Sequence, residues 1–243
     1  MTRLALAFDM VTDAALGPGE AAEELAAFLG RLLKWDKAAV VRLRSAAGEA
    51  ALGVFGHPPF GGVLAVKGVA LGGGAVAGPV DATVSAGELL EALAAVARGG
   101  EFVLPGSVTG PAWAGLLPPR GGWRRIAQLP GQTVRGVAVE VVAEFRARTE
   151  KLPRERRTRA ELDALAEELW GRGFGPGDAV PLRVVHAAYA LGFLRVPPQD
   201  RAADAEDVVA LLGAGPWVRL RTGYGSVALR GRSAVAGLTV SPV

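Results

Sequence analysis

Two stretches share one pattern: VRLRSAAGEAAL at Val41–Leu52 and VRLRTGYGSVAL at Val218–Leu229. Each runs Val-Arg-Leu-Arg, then a hydroxyl residue, a turn glycine and a closing Ala-Leu. In the first copy Val41 and Leu43 fall on one side of an extended chain and Arg42 and Arg44 on the other, because successive side chains of a strand alternate. Ala47-Gly48 turns that strand into a second one near Ala50–Phe55. Gly223 and Gly225 turn Trp217–Thr222 into Ser226–Arg230. Both copies read as hairpins that follow a helix. Duplication of an α+β unit explains the echo; so do two similar hairpins in a chain rich in Ala, Arg, Val and Leu.

Outward from the first hairpin, Leu4–Phe8 predicts a strand and Glu20–Lys34 an amphipathic helix, with Leu25, Phe28, Leu29, Leu32 and Leu33 at helical spacing. Gly61–Leu71 reads as a more fully buried strand. Asp81–Val84 is a short strand running directly into a helix, opened by the capping-box spacing of Ser85 and Glu88. Residues 102–131, rich in Pro and Gly with Trp113 and Trp123 embedded, read as a structured connector. Thr133–Arg148 fits both periods, and its length favours helix. Thr158 and Glu161 repeat the capping spacing ahead of Leu162, Leu165 and Leu169. Val180–Leu194 predicts a largely apolar helix with Pro181 in its first turn, and Asp204–Leu212 a short acidic helix. A weaker echo pairs Asp81–Val96 with Asp178–Leu191.

The order strand, helix, hairpin, strand, short strand, helix resembles one domain of a DNA sliding clamp. VDATVSAGELLEAL at Val80–Leu93 is similar to the clamp's strand-into-helix element, and WVRLRTGYGSVALRG at Trp217–Gly231 to the strand pair that closes a clamp domain. The resemblance covers roughly residues 1–100 and, less closely, 178–231. It implies an α+β fold of two related mixed units, antiparallel strands with packed helices, and DNA as a partner. The expected division is an N-terminal unit at 1–101, the connector at 102–131, a C-terminal unit at 132–231 and a tail at 232–243.

The chain's 243 residues hold no Cys and two His, at 57 and 186. Disulfides, thiolate metal sites and cysteine nucleophiles are thereby excluded. Gly72-Gly73-Gly74 with Ala77 loosely fits a dinucleotide loop, but Pro79 and a strand follow where a helix should begin. Asp9 and Asp13 fit turn or capping roles, and both histidines fit packed positions. No catalytic, metal or cofactor residue is expected.

Charge is the informative feature. Residues 1–145 hold 12 basic against 13 acidic residues, and residues 146–243 hold 15 against 11. The excess concentrates in Arg146, Arg148, Lys151, Arg154, Arg156, Arg157 and Arg159, interrupted only by Glu150 and Glu155 as acidic residues. With Arg219 and Arg221 on one face of the second hairpin, these are the candidate nucleic-acid contacts. A solvated, internally paired linker is the competing reading of the run. The expected protein is a non-enzymatic, nucleic-acid-associated binding protein with a clamp-like fold. The alternatives are a protein–protein interaction scaffold, and a winged-helix module at 134–231. The expected partners are DNA or an acidic protein, with homo-oligomerisation open. No signal peptide or spanning helix is read, so the expected location is the cytoplasm.

Overall fold

Leu25, Phe28, Leu29 and Leu32 recur at helical spacing and are buried together, which sets the inward face of the first helix, α1 (Pro18–Trp35). A computed structural model describes residues 18–49, 51–70, 78–99, 102–197 and 207–231. The expected strand Leu4–Phe8, Asp9 and Asp13, the Gly72–Gly74 loop and the tail after 231 lie outside the described residues.

After α1 come β1 (Val40–Ser45), β2 (Ala51–Gly56), β3 (Leu64–Ala70) and β4 (Val80–Ser85), then α2 (Ala86–Ala97). Next are β5 (Arg124–Pro130), α3 (Gly131–Lys151) and α4 (Arg159–Gly171), followed by the two-residue strands β6 (Gly173–Phe174) and β7 (Val180–Pro181). The chain closes with α5 (Leu182–Ala190), β8 (Val208–Ala214), β9 (Trp217–Thr222) and β10 (Gly225–Arg230). Both expected helix starts form. Ser85 is extended, ends β4 and accepts the Glu88 N–H at 3.3 Å; Thr158 accepts the Glu161 N–H at 3.3 Å at the start of α4.

The main sheet has eight strands in the order β4-β1-β2-β3-β10-β9-β8-β5, all neighbours antiparallel. That order is symmetric about the β3–β10 seam. A three-strand meander lies on each side, β1–β3 and β8–β10, and each is flanked outside by a strand that runs directly into a helix, β4 into α2 and β5 into α3. In the first half the strand-into-helix element follows the meander in sequence; in the second it precedes it. The two units are thus related by a two-fold pattern with swapped chain order. The pattern pairs β1 with β8 and β2 with β9. The sequence echo pairs β1–β2 with β9–β10, one strand out of step, so the likeness of the two stretches reflects similar hairpins and not the symmetry of the sheet.

Alternation divides the sheet into two faces. Val41, Leu43, Val54, Ala65, Val69, Val209, Leu211, Leu220 and Val227 point into one core with the helices. Leu64, Trp217 and Ala228 point the other way, and Trp113, Leu117 and Trp123 pack on them. Residues 102–123 therefore form a strap across the helix-free face. Val108 N–H donates to the Thr83 carbonyl at 2.8 Å at the β4 edge, Arg120 pairs with Glu49 at 3.1 Å, and the chain then enters β5 at the opposite edge.

Four expectations change. The acidic helix expected at Asp204–Leu212 gives way to the strand Val208–Ala214, because β5 and β9 pair with it on both sides and Val209 and Leu211 reach the core. The Val180–Leu194 helix starts at Leu182, since Val180–Pro181 pairs with Gly173–Phe174. The hairpin β9–β10 lies between β3 and β8, inside the sheet, so it is not the projecting wing of a winged-helix module. Thr133–Arg148 is helical, within α3, and a strand, β5, occupies Arg124–Pro130 at the end of the segment read as a connector.

Candidate nucleic-acid interface

The basic run starts on the last turns of α3 and ends at the start of α4. Three of its seven members, Arg148, Arg156 and Arg159, are paired with carboxylates. Arg148 grips Glu168 with both terminal nitrogens, at 2.6 and 2.9 Å, and Arg172 grips Glu144 at 2.8 and 2.9 Å. Cross-contacts at 3.3 Å (Arg172–Glu168) and 3.6 Å (Arg148–Glu144) close a ring of two guanidiniums and two carboxylates. The hydrogen bonds from Arg172 and Arg148 hold the Glu144 and Glu168 carboxyls below their ordinary range. Arg156 bonds Glu161 at 2.7 Å, and Arg159 lies 3.6 Å from Asp163. Arg157 turns back to donate to the carbonyls of Leu152, at 3.0 Å, and Glu150, at 2.8 Å, acceptors that the end of α3 leaves unpaired.

Arg146, Lys151 and Arg154 remain. All three are exposed, and among the described residues none makes an ion pair. They mark one cationic corner where α3 meets α4.

Arg219 and Arg221 do not join that corner. They alternate with Leu220, whose side chain faces the helices, so they lie on the strap side of the sheet. Arg219 donates to Ser226 Oγ at 2.8 Å and sits 5.4 Å over the Trp123 ring. Burial, and then the charge of Arg221, push its guanidinium down to about 10. Arg42 and Arg44 share this face, four strand positions away, or about 19 Å at ~4.8 Å per strand. Arg42 bonds Asp81 at 2.8 Å and Thr83 at 3.0 Å.

Both histidines meet aromatic rings, the exposed His57 one and the partly buried His186 two. His57 stacks on Trp113 with centroids 5.8 Å apart. His186 lies between Phe60 and Trp170, 5.0 Å from each, in a file of rings from Trp35 to Phe145. Burial lowers both imidazoles below their ordinary value. His186 Nδ1 and Trp170 Nε1 are buried without a hydrogen-bond partner. Beside His57 a cleft of about 470 Å³ opens between the α1–β1 turn, Pro58-Pro59 and strap residues Thr109–Pro111. Among the described residues, no group of three or more His, Asp or Glu is disposed to hold a metal ion.

A buried ion pair escaped the sequence reading. Lys67 of β3 bonds Glu24 of α1; Lys67 is only 5% exposed. A signal was present: Lys67 occupies the core-facing phase of Val63, Ala65 and Val69, where a lysine needs a buried partner.

A domain of unknown function, DUF8010, matches residues 12–115, and a second, DUF8185, matches residues 118–234. The break between them falls in the strap. No curated protein matches the chain. Among solved structures it is similar to the DNA polymerase sliding clamp from Pseudomonas aeruginosa, with ligand, at 15% identity and TM-score 0.46, covering 91% of this chain and 66% of that one. It is similar to the DNA polymerase III subunit beta of the same organism at 14% identity and TM-score 0.46, over 86% and 62% of the two chains. It is also similar to Caulobacter crescentus pol III beta at 12% identity and TM-score 0.43, over 86% and 64%. The chain spans less than two thirds of the length of each. The clamp-domain resemblance read in the sequence thus reappears among solved structures. No helix of the described residues is long and apolar enough to cross a membrane.

Proposed function

We propose that this is a non-catalytic binding protein that associates with nucleic acid through the α3–α4 corner. One observation carries the reading: Arg146, Lys151 and Arg154 hold exposed charge with no carboxylate among the described residues, while their neighbours Arg148, Arg156 and Arg159 are paired. With Arg146 and Lys151 on the last turns of α3 and Arg154 in the turn that follows, three such cations suit a phosphate backbone, which needs charge and reach rather than base-specific geometry. The contacts of both histidines with aromatic rings support a binding role over a catalytic one.

Anisotropy of a labelled DNA duplex at two salt concentrations tests this. Three neutralised phosphates give a log–log salt slope of about −2.7. Substituting Arg146, Lys151 and Arg154 together by Ala abolishes that slope. Absence of binding at low salt, or binding that the triple variant leaves unchanged, overturns the reading.

A second reading, a scaffold for a protein partner, is favoured by the cleft beside His57. Pro58, Pro59, Pro111 and Trp113 line it, and apolar rings and prolines of this kind accept extended peptide.

A further inference from the structure

The seam between the two halves is charged as well as hydrogen-bonded. Glu24 has two carboxylate oxygens, and both are in use: Oε2 bonds Lys67 Nζ, and Oε1 bonds a terminal nitrogen of Arg195. Arg195 is stacked over the Tyr224 ring, 3.8 Å from its centroid. Arg31, two turns along α1 from Glu24, reaches across to the second half. Its guanidinium lies against Gly192, where a Cβ would meet Nη2 at 2.7 Å. Among the described residues it has no ion pair. Two cations therefore share one carboxylate, and a third, Arg31, stands beside them without a carboxylate partner among the described residues. The inner pair is sealed, with side-chain exposures of 6% for Lys67 and 8% for Glu24, while Arg195 is 45% exposed.

We propose that this seam binds a phosphoryl oxyanion, held by Arg31 and the free donors of Arg195 above the Lys67–Glu24 pair. A guanidinium presents five N–H donors in a planar fork, and one contact to Glu24 leaves Arg195 a second edge for a planar or tetrahedral anion. The anion completes the charge that Glu24 cannot. The field of Arg31 is already felt at Lys67, whose ammonium is lowered by burial first and by Arg31 second. The site joins α1 of the first half to the α5 end and the β9–β10 turn of the second, so its ligand ties the halves together. It is separate from the α3–α4 corner and does not rest on that reading. The phosphoryl group comes either from a free phosphate compound or from a nucleic-acid backbone.

The test uses the full chain, with inorganic pyrophosphate titrated by calorimetry at constant ionic strength, and a labelled DNA duplex followed by anisotropy in parallel. Arg31→Gln removes charge from a crowded cationic cluster and leaves the Lys67–Glu24 pair in place, so it folds. Arg230→Gln is the control of equal charge change, on the exposed end of β10. The expected result is at least a tenfold loss of affinity for one probe in Arg31→Gln and none in Arg230→Gln. Loss with pyrophosphate identifies a free phosphate compound, and loss with the duplex alone identifies the backbone. If neither probe binds, or both bind Arg31→Gln and the native chain equally, the proposal is wrong.

Discussion

Lys67 Nζ donates to the backbone carbonyl of Tyr224 at 2.9 Å, across the seam where β3 of the first half meets β10 of the second. The two residues are far apart in sequence. Lys67 lies in a strand otherwise filled with Val and Ala on its core face, and Tyr224 sits in the β9–β10 turn. The same ammonium bonds Glu24, so helix, strand and turn from both halves converge on one buried group. A buried charge is tolerated only with such partners, and removing one partner exposes the full desolvation of the other.

Glu24→Ala leaves Lys67 buried with Arg31 and Arg195 nearby and no carboxylate. Destabilisation of about 3–5 kcal/mol is expected. Urea denaturation at pH 7 measures it. A loss below about 1 kcal/mol would mean that water already reaches the pair.

The seam also makes stability depend on pH in the alkaline range. Burial and Arg31 push Lys67 from its ordinary 10.5 down to about 8. Below pH 8 the group is protonated in both folded and unfolded chains, and the burial of its charge weighs against folding in full. Between about 8 and 10.5 the unfolded chain binds more protons than the folded one, so this contribution to stability rises with pH. Relative to Lys67→Met, which does not titrate, the native chain gains up to about 3 kcal/mol across that window. Paired denaturation curves at pH 7.5 and 10.3 read the difference; a constant gap would refute the shift.

Two glycines of α3 respond in opposite directions to the same change. A Cβ at Gly131 would strike the Asp207 carboxylate, with Cγ at 2.6 Å, and disturb its bidentate pair with Arg135 at 2.6 and 2.9 Å. Gly136 is exposed mid-helix, with nothing within 4 Å of the added atom. Gly131→Ala lowers stability by about 1–3 kcal/mol through the disturbed pair, whereas Gly136→Ala raises it by about 0.5–1 kcal/mol through helix propensity. Thermal melts of both variants test the contrast.

The strap depends on Trp217, which is 8% exposed and packs with Leu64 and Ala228 beneath Trp113, Leu117 and Trp123. Trp217→Ala removes the centre of that cluster at about 3 kcal/mol. It also frees residues 102–123, so limited proteolysis should cut there first. Cleavage elsewhere ahead of the strap would show that it is held by other contacts.

The cap of α4 offers a smaller, local test. Thr158→Ala removes the acceptor of the Glu161 N–H and lowers stability by about 1 kcal/mol. Thr158→Asn retains the acceptor and most of the stability. Equal melting temperatures for the two variants would remove the cap from the account.

The candidate site was half legible. The run from Arg146 to Arg159 stands out in the sequence, and so does its place between two helices. Which of its members keep free charge does not, because Glu168 of α4 reaches Arg148 of α3, and Arg172 just past α4 reaches Glu144, only when those helices pack. Residue type groups Arg219 with the run, whereas the alternation of β9 places it on the strap face of the sheet, at Trp123.

The sequence by itself determined what depends on neighbours within a turn or two: the buried stripe of α1, the alternation of β1 and β9, the caps at Ser85 and Thr158, and both hairpins. Those features follow from side-chain periodicity and short-range hydrogen bonds. Tertiary structure decided the rest. Val208–Ala214 is a strand because β5 and β9 supply its hydrogen bonds, and no local pattern carries that information. The joining of the two meanders at β3 and β10, the strap over the helix-free face and the partners of Lys67 are likewise contacts between residues distant in sequence. Their free energy appears only when the whole sheet is assembled, since each needs a surface that another part of the chain provides.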